Sequence, residues 1–220
     1  MIGSLWLAVV LAVCVQVLRA VPHKPSTGAR NKPSPPAPFP DAEYFNRPGP
    51  WDEKDLKSLL NANKQWAKHM SDSKPGFFAE LSRGHAPKIL WIGCSDARVP
   101  ANEIIGEPPG SVFVHRNVAN MVVNTDVNCM SVLQYAVDVL KVKHIVVCGH
   151  YECGGVRAAL EPIDHGSPLE NWLRNIRDTY RLHKEELNGV ADLRDRQRRL
   201  VELNVQEQVS SCTWCVCLWR

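Results

Sequence analysis

The sequence predicts an α/β fold with a mostly parallel central β-sheet flanked by helices. Three short, continuous apolar runs, over residues 88–93, 111–115 and 144–148, are separated by stretches with helical spacing. Runs of this kind are typical of strands buried on both faces of a parallel sheet, and the intervening helices provide the crossover connections. With 220 residues and 45% hydrophobic content, the chain can form one such core but not two enzymatic domains.

The chain begins with an apolar stretch over residues 2–18 that is almost free of polar side chains. It lies at the short end of what spans a bilayer, and it is typical of the core of a secretory signal that is cleaved after Ala20. We therefore expect a signal or targeting leader over 1–20 and a secreted or secretory-pathway protein. No acidic residue precedes Asp41, which leaves mitochondrial import as the alternative.

Residues 21–50 contain nine prolines and are interpreted as a disordered, extended linker. The folded domain is expected over 51–208. It begins with a helix over 51–70, because apolar residues recur there at helical spacing and acidic residues favour its first turn. A short helix over 77–81 follows.

The segment between the second and third apolar runs predicts one long helix. Thr125 or Asp126 is a suitable N-cap, and apolar residues continue at helical spacing from Met130 to Leu140. This helix would make the crossover between two parallel strands.

The charges of the chain argue against nucleic acid as a partner. The net charge is only +3, and no basic patch with interleaved aromatic residues is present in the sequence. The densest basic run, 194–199, also contains an acidic residue and is interpreted as the solvated face of a helix.

The eight cysteines are spread unevenly along a chain that has a real core, so they do not indicate a disulfide framework. Cys129 and Cys148 fall within apolar patterns, where a free thiol packs as a small hydrophobe, and we expect both to be buried and inert. The C-terminal C-x-x-C-x-C motif of Cys212, Cys215 and Cys217 is expected to bind nothing.

Metal-ligating side chains directly follow two of the apolar runs. Cys94, Asp96 and Arg98 come after the first run, and His150 and Cys153 come after the third. Functional residues of α/β sheets gather beyond the carboxyl ends of the strands, so the two thiols and the imidazole can converge. Zinc prefers these ligands, and three protein ligands leave a fourth position open, as in catalytic zinc sites.

These motifs resemble the β-class carbonic anhydrases. The resemblance covers residues 51–208 and is densest over 91–100, 113–120 and 148–155. It implies one zinc ion per chain and a homodimer or larger homo-oligomer. It also implies the zinc-dependent, reversible hydration of carbon dioxide to bicarbonate and a proton, by attack of zinc-bound hydroxide on CO2.

The resemblance assigns roles to individual residues around the metal. Cys94, His150 and Cys153 would bind zinc. Asp96, held by a charge-assisted pair with Arg98, would orient the hydroxide toward the substrate carbon. If that pair opens, Asp96 would become the fourth ligand and close the site.

Carbon dioxide is small and apolar, so its site needs an apolar slot with few donors. By the resemblance, Val99, Phe113 and Tyr135 line this slot, and the backbone N–H of Gly154 donates to a substrate oxygen. His85 stands where the family usually has a substrate-binding glutamine, and an imidazole there would add a pH dependence.

One branch of the family has a regulatory bicarbonate pocket that favours the closed state. Trp91 and Arg116 match two members of that pocket, and its third member, a tyrosine, would come from sequence beyond residue 208. By this resemblance we expect an inactive form that bicarbonate stabilises at low pH.

Residues 209–220 do not continue the family pattern, so we expect the last strands and C-terminal helices to be missing, as a translated intron or frameshift would produce. Lost strands would leave one edge of the sheet unpaired. Two other functions therefore stay open. One is a truncated zinc-binding pseudoenzyme, or mispredicted isoform, without turnover. The other is a hydrolase of a CO2 analogue such as CS2 or COS.

Overall fold

The computed structural model describes residues 9–15 and 56–218. These residues form two compact units. One consists of residues 9–15 and 85–218, and the other of residues 56–84. The expected proline-rich linker lies outside the described residues. None of the helices described here combines the length and apolar character needed to cross a membrane.

The smaller unit consists of two helices, α1 (Leu56–Ser73) and α2 (Phe77–Ser82). Both predicted helices are confirmed, although residues 51–55 lie outside the described part of the chain. The turn between them ends at Gly76, whose φ of 86° lies in the left-handed region that glycine adopts at low cost. Several large apolar side chains of α1 are exposed to solvent, including Leu56 and Leu60.

The larger unit is built on a sheet whose central strand, β2 (Ile89–Cys94), pairs in parallel with β3 (Val112–Asn117) and with β4 (His144–His150). All three predicted strands are confirmed. Side chains of β2 are buried on both faces, since Leu90 and Trp91 are each at most 1% exposed, and this explains the continuous apolar run.

A further strand, β1 (Val9–Val15), pairs antiparallel with the other edge of β4. The order in the sheet is therefore β1-β4-β2-β3. β1 lies in the stretch that the sequence interpretation assigns to the leader. In the described fold the edge of β4 is thus paired rather than bare, which removes the expected row of open backbone groups.

The crossover from β3 to β4 is not one regular helix. Asp126 accepts a hydrogen bond from the backbone N–H of Asn128 and caps α4 (Val127–Gln134), as predicted, and α3 (Ala101–Ile105) precedes it in the chain. The predicted helix from Met130 to Leu140 is interrupted, because residues Tyr135–Val139 form a π-helical turn. Such turns are rare and often lie at functional sites.

Four helices follow the sheet along the chain: α5 (Gly154–Leu160), α6 (Leu169–Leu182), α7 (Lys184–Asn188) and α8 (Leu193–Leu218). The last of these packs directly on β4. A Cβ at Gly149 would lie only 2.5 Å from the Cγ2 atom of Val205 on α8, so the close approach requires glycine. α8 continues ten residues beyond the expected domain end at 208.

Candidate metal centre

Three metal-ligating side chains meet beyond the carboxyl ends of two neighbouring strands. Cys94 is the last residue of β2, His150 is the last residue of β4, and Cys153 is the N-cap of α5. Their ligand atoms all lie within 4.8 Å of one another, and all three residues are buried. The structure therefore brings together the three residues that the motifs single out.

The ring of His150 is oriented so that one nitrogen remains open. Its Nδ1 lies 3.0 Å from the carbonyl oxygen of Tyr151 and donates a hydrogen bond to it. Its Nε2 is buried and has no hydrogen-bond partner among the described residues. A second-shell carbonyl that fixes the tautomer in this way is typical of metal-binding histidines, and a buried nitrogen without a partner otherwise costs stability.

The two thiols lie within hydrogen-bonding distance of each other. The Sγ atoms of Cys94 and Cys153 are 3.9 Å apart, and the N–H of Ala119 donates to the Cys94 sulfur at 3.4 Å. The hydrogen bond from Cys153 lowers the pKa of Cys94, against the opposing effect of burial. The same bond, together with burial, raises the pKa of Cys153.

This set of donors fits zinc. Two sulfurs and one imidazole nitrogen with an open lone pair make a three-ligand zinc site, which leaves a fourth position for water or substrate. A divalent ion would displace the thiol protons, because zinc binds thiolates. The ion would also satisfy the otherwise unpaired Nε2 of His150.

Asp96 and Arg98 form a two-point ion pair at the edge of this cluster. The Nε and Nη2 atoms of Arg98 donate to the two carboxylate oxygens at 2.9 and 2.6 Å, and the backbone N–H of Arg98 donates at 2.9 Å. These bonds lower the pKa of Asp96 to about 2, against burial, so the carboxylate is ionised at neutral pH. Its Oδ2 lies 3.8 Å from Nε2 of His150.

Arg116 braces the backbone of the first ligand turn. Its Nε donates to the carbonyl of Cys94 at 2.7 Å, and its Nη2 donates to the carbonyl of Asp96. Trp91 is 1% exposed, and its indole packs over Gly93 so closely that a Cβ there would lie 2.4 Å from Nε1. Both residues thus have structural contacts, and their role in a bicarbonate pocket stays a prediction.

The residues expected to bind substrate fall into two groups. Val99 is buried in the same apolar cluster as Cys94 and Cys153, and a Cβ on Gly154 would meet open space. His85, Phe113 and Tyr135 instead form a row of rings, with centroids 6.1 and 5.7 Å apart.

This row of rings lies well back from the ligand end of the sheet. In the parallel register Phe113 pairs with Leu90, whereas Cys94 pairs with Asn117. Four residues of strand at about 3.3 Å each place Phe113 about 13 Å from that end. Within one subunit, Phe113 therefore lies at the wrong end of β3 to face the open metal position directly.

The sequence interpretation missed the residues that hold the second ligand turn. The run 194–199 is not simply a solvated face: Arg194 and Arg198 lie 2.9 and 3.5 Å from a carboxylate oxygen of Glu152. Between them on α8, Gln197 donates to the carbonyl of Cys153 at 3.2 Å. The signal was the spacing of these three residues, which places them on one face of a helix, but the sequence did not show what that face contacts.

Comparison with known proteins identifies the family. Residues 89–216, more than half of the chain, match the family model described as carbonic anhydrase. A carbonic anhydrase of Emericella nidulans is 55% identical over 159 residues, covering 72% of this chain and 69% of that protein. A carbonic anhydrase of Candida albicans is 39% identical, covering 72% of this chain and 57% of that protein.

Solved structures extend the similarity to the fold. One of two tetrameric β-carbonic anhydrases from Sordaria macrospora superimposes with a TM-score of 0.67 at 43% identity, covering 71% of this chain and 79% of that one. The β-carbonic anhydrase CafA of Aspergillus fumigatus gives 0.68 at 39% identity, covering 73% and 76%. This chain belongs to the β-class carbonic anhydrases.

The match to the carbonic anhydrase family also bears on the C-terminal segment. Residues 209–216, which the sequence interpretation places in a tail outside the family, fall within the matched range. In the structure they continue α8, and Cys212, Cys215 and Val216 are buried in the cluster that covers one face of the sheet. This part of the tail therefore contributes to the core.

Proposed function

We propose that this chain catalyses the reversible hydration of carbon dioxide to bicarbonate and a proton, with zinc held by Cys94, His150 and Cys153. The observation that carries the proposal is the buried, unpartnered Nε2 of His150, which lies within 4.8 Å of the sulfurs of Cys94 and Cys153. Membership of the β-class carbonic anhydrases supports it. Zinc in a site of this kind lowers the pKa of a bound water from about 15.7 to about 7 and so supplies a nucleophile at neutral pH.

Asp96 and Arg98 orient the reacting water. The carboxylate is ionised at neutral pH, so it accepts a hydrogen bond from the attacking O–H and directs an oxygen lone pair toward the substrate carbon. Arg98 fixes the carboxylate through two parallel hydrogen bonds. Opening of this pair would let Asp96 turn toward the metal, which is the closed state that the resemblance implies.

Carbon dioxide binds against apolar side chains. Val99 supplies one wall, since it packs with the ligand cysteines, and Gly154 offers its N–H beside open space. The rings of Phe113, Tyr135 and His85 complete the CO2 slot of a second copy of the chain. They do not serve the metal position of their own chain, because that position lies about 13 Å away along the strand. The exposed apolar side chains of α1 suit contact with that copy.

The destination of the protein stays a proposal. The apolar start of the chain supports entry into the secretory pathway, with mitochondria as the alternative. Cleavage after Ala20 would also remove β1 from the sheet.

The test is an Asp96→Asn variant of the full chain, with zinc content measured by mass spectrometry and CO2 hydration by stopped flow. We expect zinc binding to be kept and the hydration rate to fall about 10²- to 10⁴-fold, the usual effect of losing acid–base assistance. Asp178→Asn is the matched control, since Asp178 is also paired with an arginine but is exposed on α6.

Two results would each contradict a part of the proposal. A near-normal rate in the Asp96→Asn variant would remove Asp96 from the reaction. One zinc ion per wild-type chain without any hydration would favour the pseudoenzyme instead.

A further inference from the structure

Glu152 lies between two metal ligands in an unusual backbone conformation. It stands in the turn that joins His150 to Cys153, and its φ is 58°. A residue other than glycine is uncommon in the left-handed region, because this conformation is unfavourable unless the surrounding structure holds it. Something in the structure must therefore stabilise this turn.

The side chain of Glu152 is held by α8. Its Oε1 accepts a hydrogen bond from Nε of Arg194 at 2.9 Å, and Nη2 of Arg198 lies 3.5 Å away. The side chains of Glu152 and Arg194 are only 24% and 25% exposed. The guanidinium of Arg198 also lies over the ring of Tyr151, 5.6 Å from its centroid.

Two main-chain carbonyls of the same turn are bound as well. Gln197, which is 3% exposed, donates to the carbonyl of Cys153 at 3.2 Å. Nη2 of Arg98 donates to the carbonyl of Glu152 at 3.2 Å and to the carboxylate of Asp96 at 2.6 Å. The same guanidinium therefore connects the second ligand turn to the Asp96 side chain in the first.

We propose that Glu152 is a positioning residue through which α8 holds the turn 150–153, and with it the guanidinium of Arg98, in the geometry that zinc requires. The inference rests on the proposed zinc centre. Glu152 does not itself bind the metal: its carboxylate points to two arginines of α8, and it acts through the backbone that carries His150 and Cys153.

An ordinary surface ion pair would not have this effect, since exposed pairs contribute little. Glu152 differs in three respects. It forms a network with two arginines, it is largely shielded from solvent, and it fixes a backbone conformation that is unfavourable without support. Mutation of residues that orient metal ligands without binding the metal typically lowers metal affinity or activity 10- to 100-fold.

The experiment measures zinc release into excess chelator and the thermal midpoint of the metal-free protein for Glu152→Ala, Arg194→Ala and Arg199→Ala. Arg199 is the matched control, because it is an arginine of α8 that pairs with Glu186 and Glu202 at 2.6 and 2.7 Å and does not bond to the turn. We expect zinc release to become about 10-fold faster in the first two variants and to stay unchanged in the third.

A fourth variant, Glu152→Gly, separates positioning from backbone strain. Glycine relieves the cost of the positive φ and removes the side chain, so a positioning role still requires faster zinc release. Retention of zinc as in the wild type, or better, would overturn the inference, as would equal release from the Arg194→Ala and Arg199→Ala variants. A wild-type protein that binds no zinc would instead refute the proposed function, before any variant is compared.

Discussion

The two turns that carry the metal ligands are held in different ways. In the first turn, residues 94–98, the contacts come from the turn itself and from the adjacent strand β3: Arg98 binds Asp96 two residues away, and Ser95 donates to the carbonyl of Asn117 at 2.9 Å. In the second turn, residues 150–153, most of the side chains that bind it come from α8, more than forty residues later, and Arg98 of the first turn adds one bond.

This difference explains why the motif of the first turn is more specific than that of the second. A motif records side chains that interact with near neighbours in the chain, and Asp96 and Arg98 do so. The second turn shows only a histidine and a cysteine three residues apart, which occur often by chance, because its support is encoded in a distant helix. Experiments on each turn, from the largest expected effect to the smallest, test this contrast.

The largest effect is expected at a ligand of the second turn. Cys153→Ser removes a thiolate that zinc prefers and leaves two good ligands, so zinc content is expected to fall to background and hydration to stop. Cys212→Ser is the control, since Cys212 is a similarly buried thiol on α8 that lies outside the ligand cluster. Stoichiometric zinc in the Cys153→Ser variant, measured by mass spectrometry, would disqualify that ligand.

The sequence predicts the parts of the fold that follow from local pattern. The three parallel strands, the cap at Asp126 and the helices at 56–73 and 77–82 are confirmed. The π-helical turn at Tyr135–Val139 was missed, because a helix that accommodates one extra residue keeps nearly the same apolar spacing as a regular one.

Contacts between distant segments were beyond such a prediction. The run 194–199 has the composition of a solvated face, and only the packing of α8 against the turn shows that Arg194 and Gln197 bind it. The pairing of β1 with β4 was missed for the same reason, since an apolar segment is typical both of a leader and of a strand.

A smaller effect is expected from the bracing of the first turn. Arg116→Lys keeps the charge but loses the fork that bonds the carbonyls of both Cys94 and Asp96. At least one of the two charge-assisted hydrogen bonds is then lost, and such a bond contributes about 1.5–3 kcal/mol. We expect zinc affinity or hydration to fall about 10- to 100-fold, while Arg181→Lys, in an exposed pair on α6, leaves both unchanged. Unchanged zinc affinity and hydration in the Arg116→Lys variant would mean that the Arg98–Asp96 pair and the bond from Ser95 hold this turn without Arg116.

The smallest effect concerns a side chain of the second turn that contacts α8 without binding the ligand backbone. The hydroxyl of Tyr151 donates to Glu202 at 2.6 Å, so Tyr151→Phe is expected to lower the free energy of unfolding by about 1 kcal/mol and to leave zinc release unchanged.

Burial and this bond raise the pKa of Tyr151 to about 12, compared with about 10 in the unfolded chain. The stabilisation is therefore complete below about pH 10 and is lost as the pH rises toward 12. Denaturant unfolding at pH 8 and pH 11 checks the sign, because the difference between wild type and variant must shrink at the higher pH. If Tyr151→Phe changed zinc release as much as Glu152→Ala does, any contact between the turn and α8 would be enough to hold the zinc ligands. The distinction between contacts that hold the backbone of the turn and its other contacts would then be wrong.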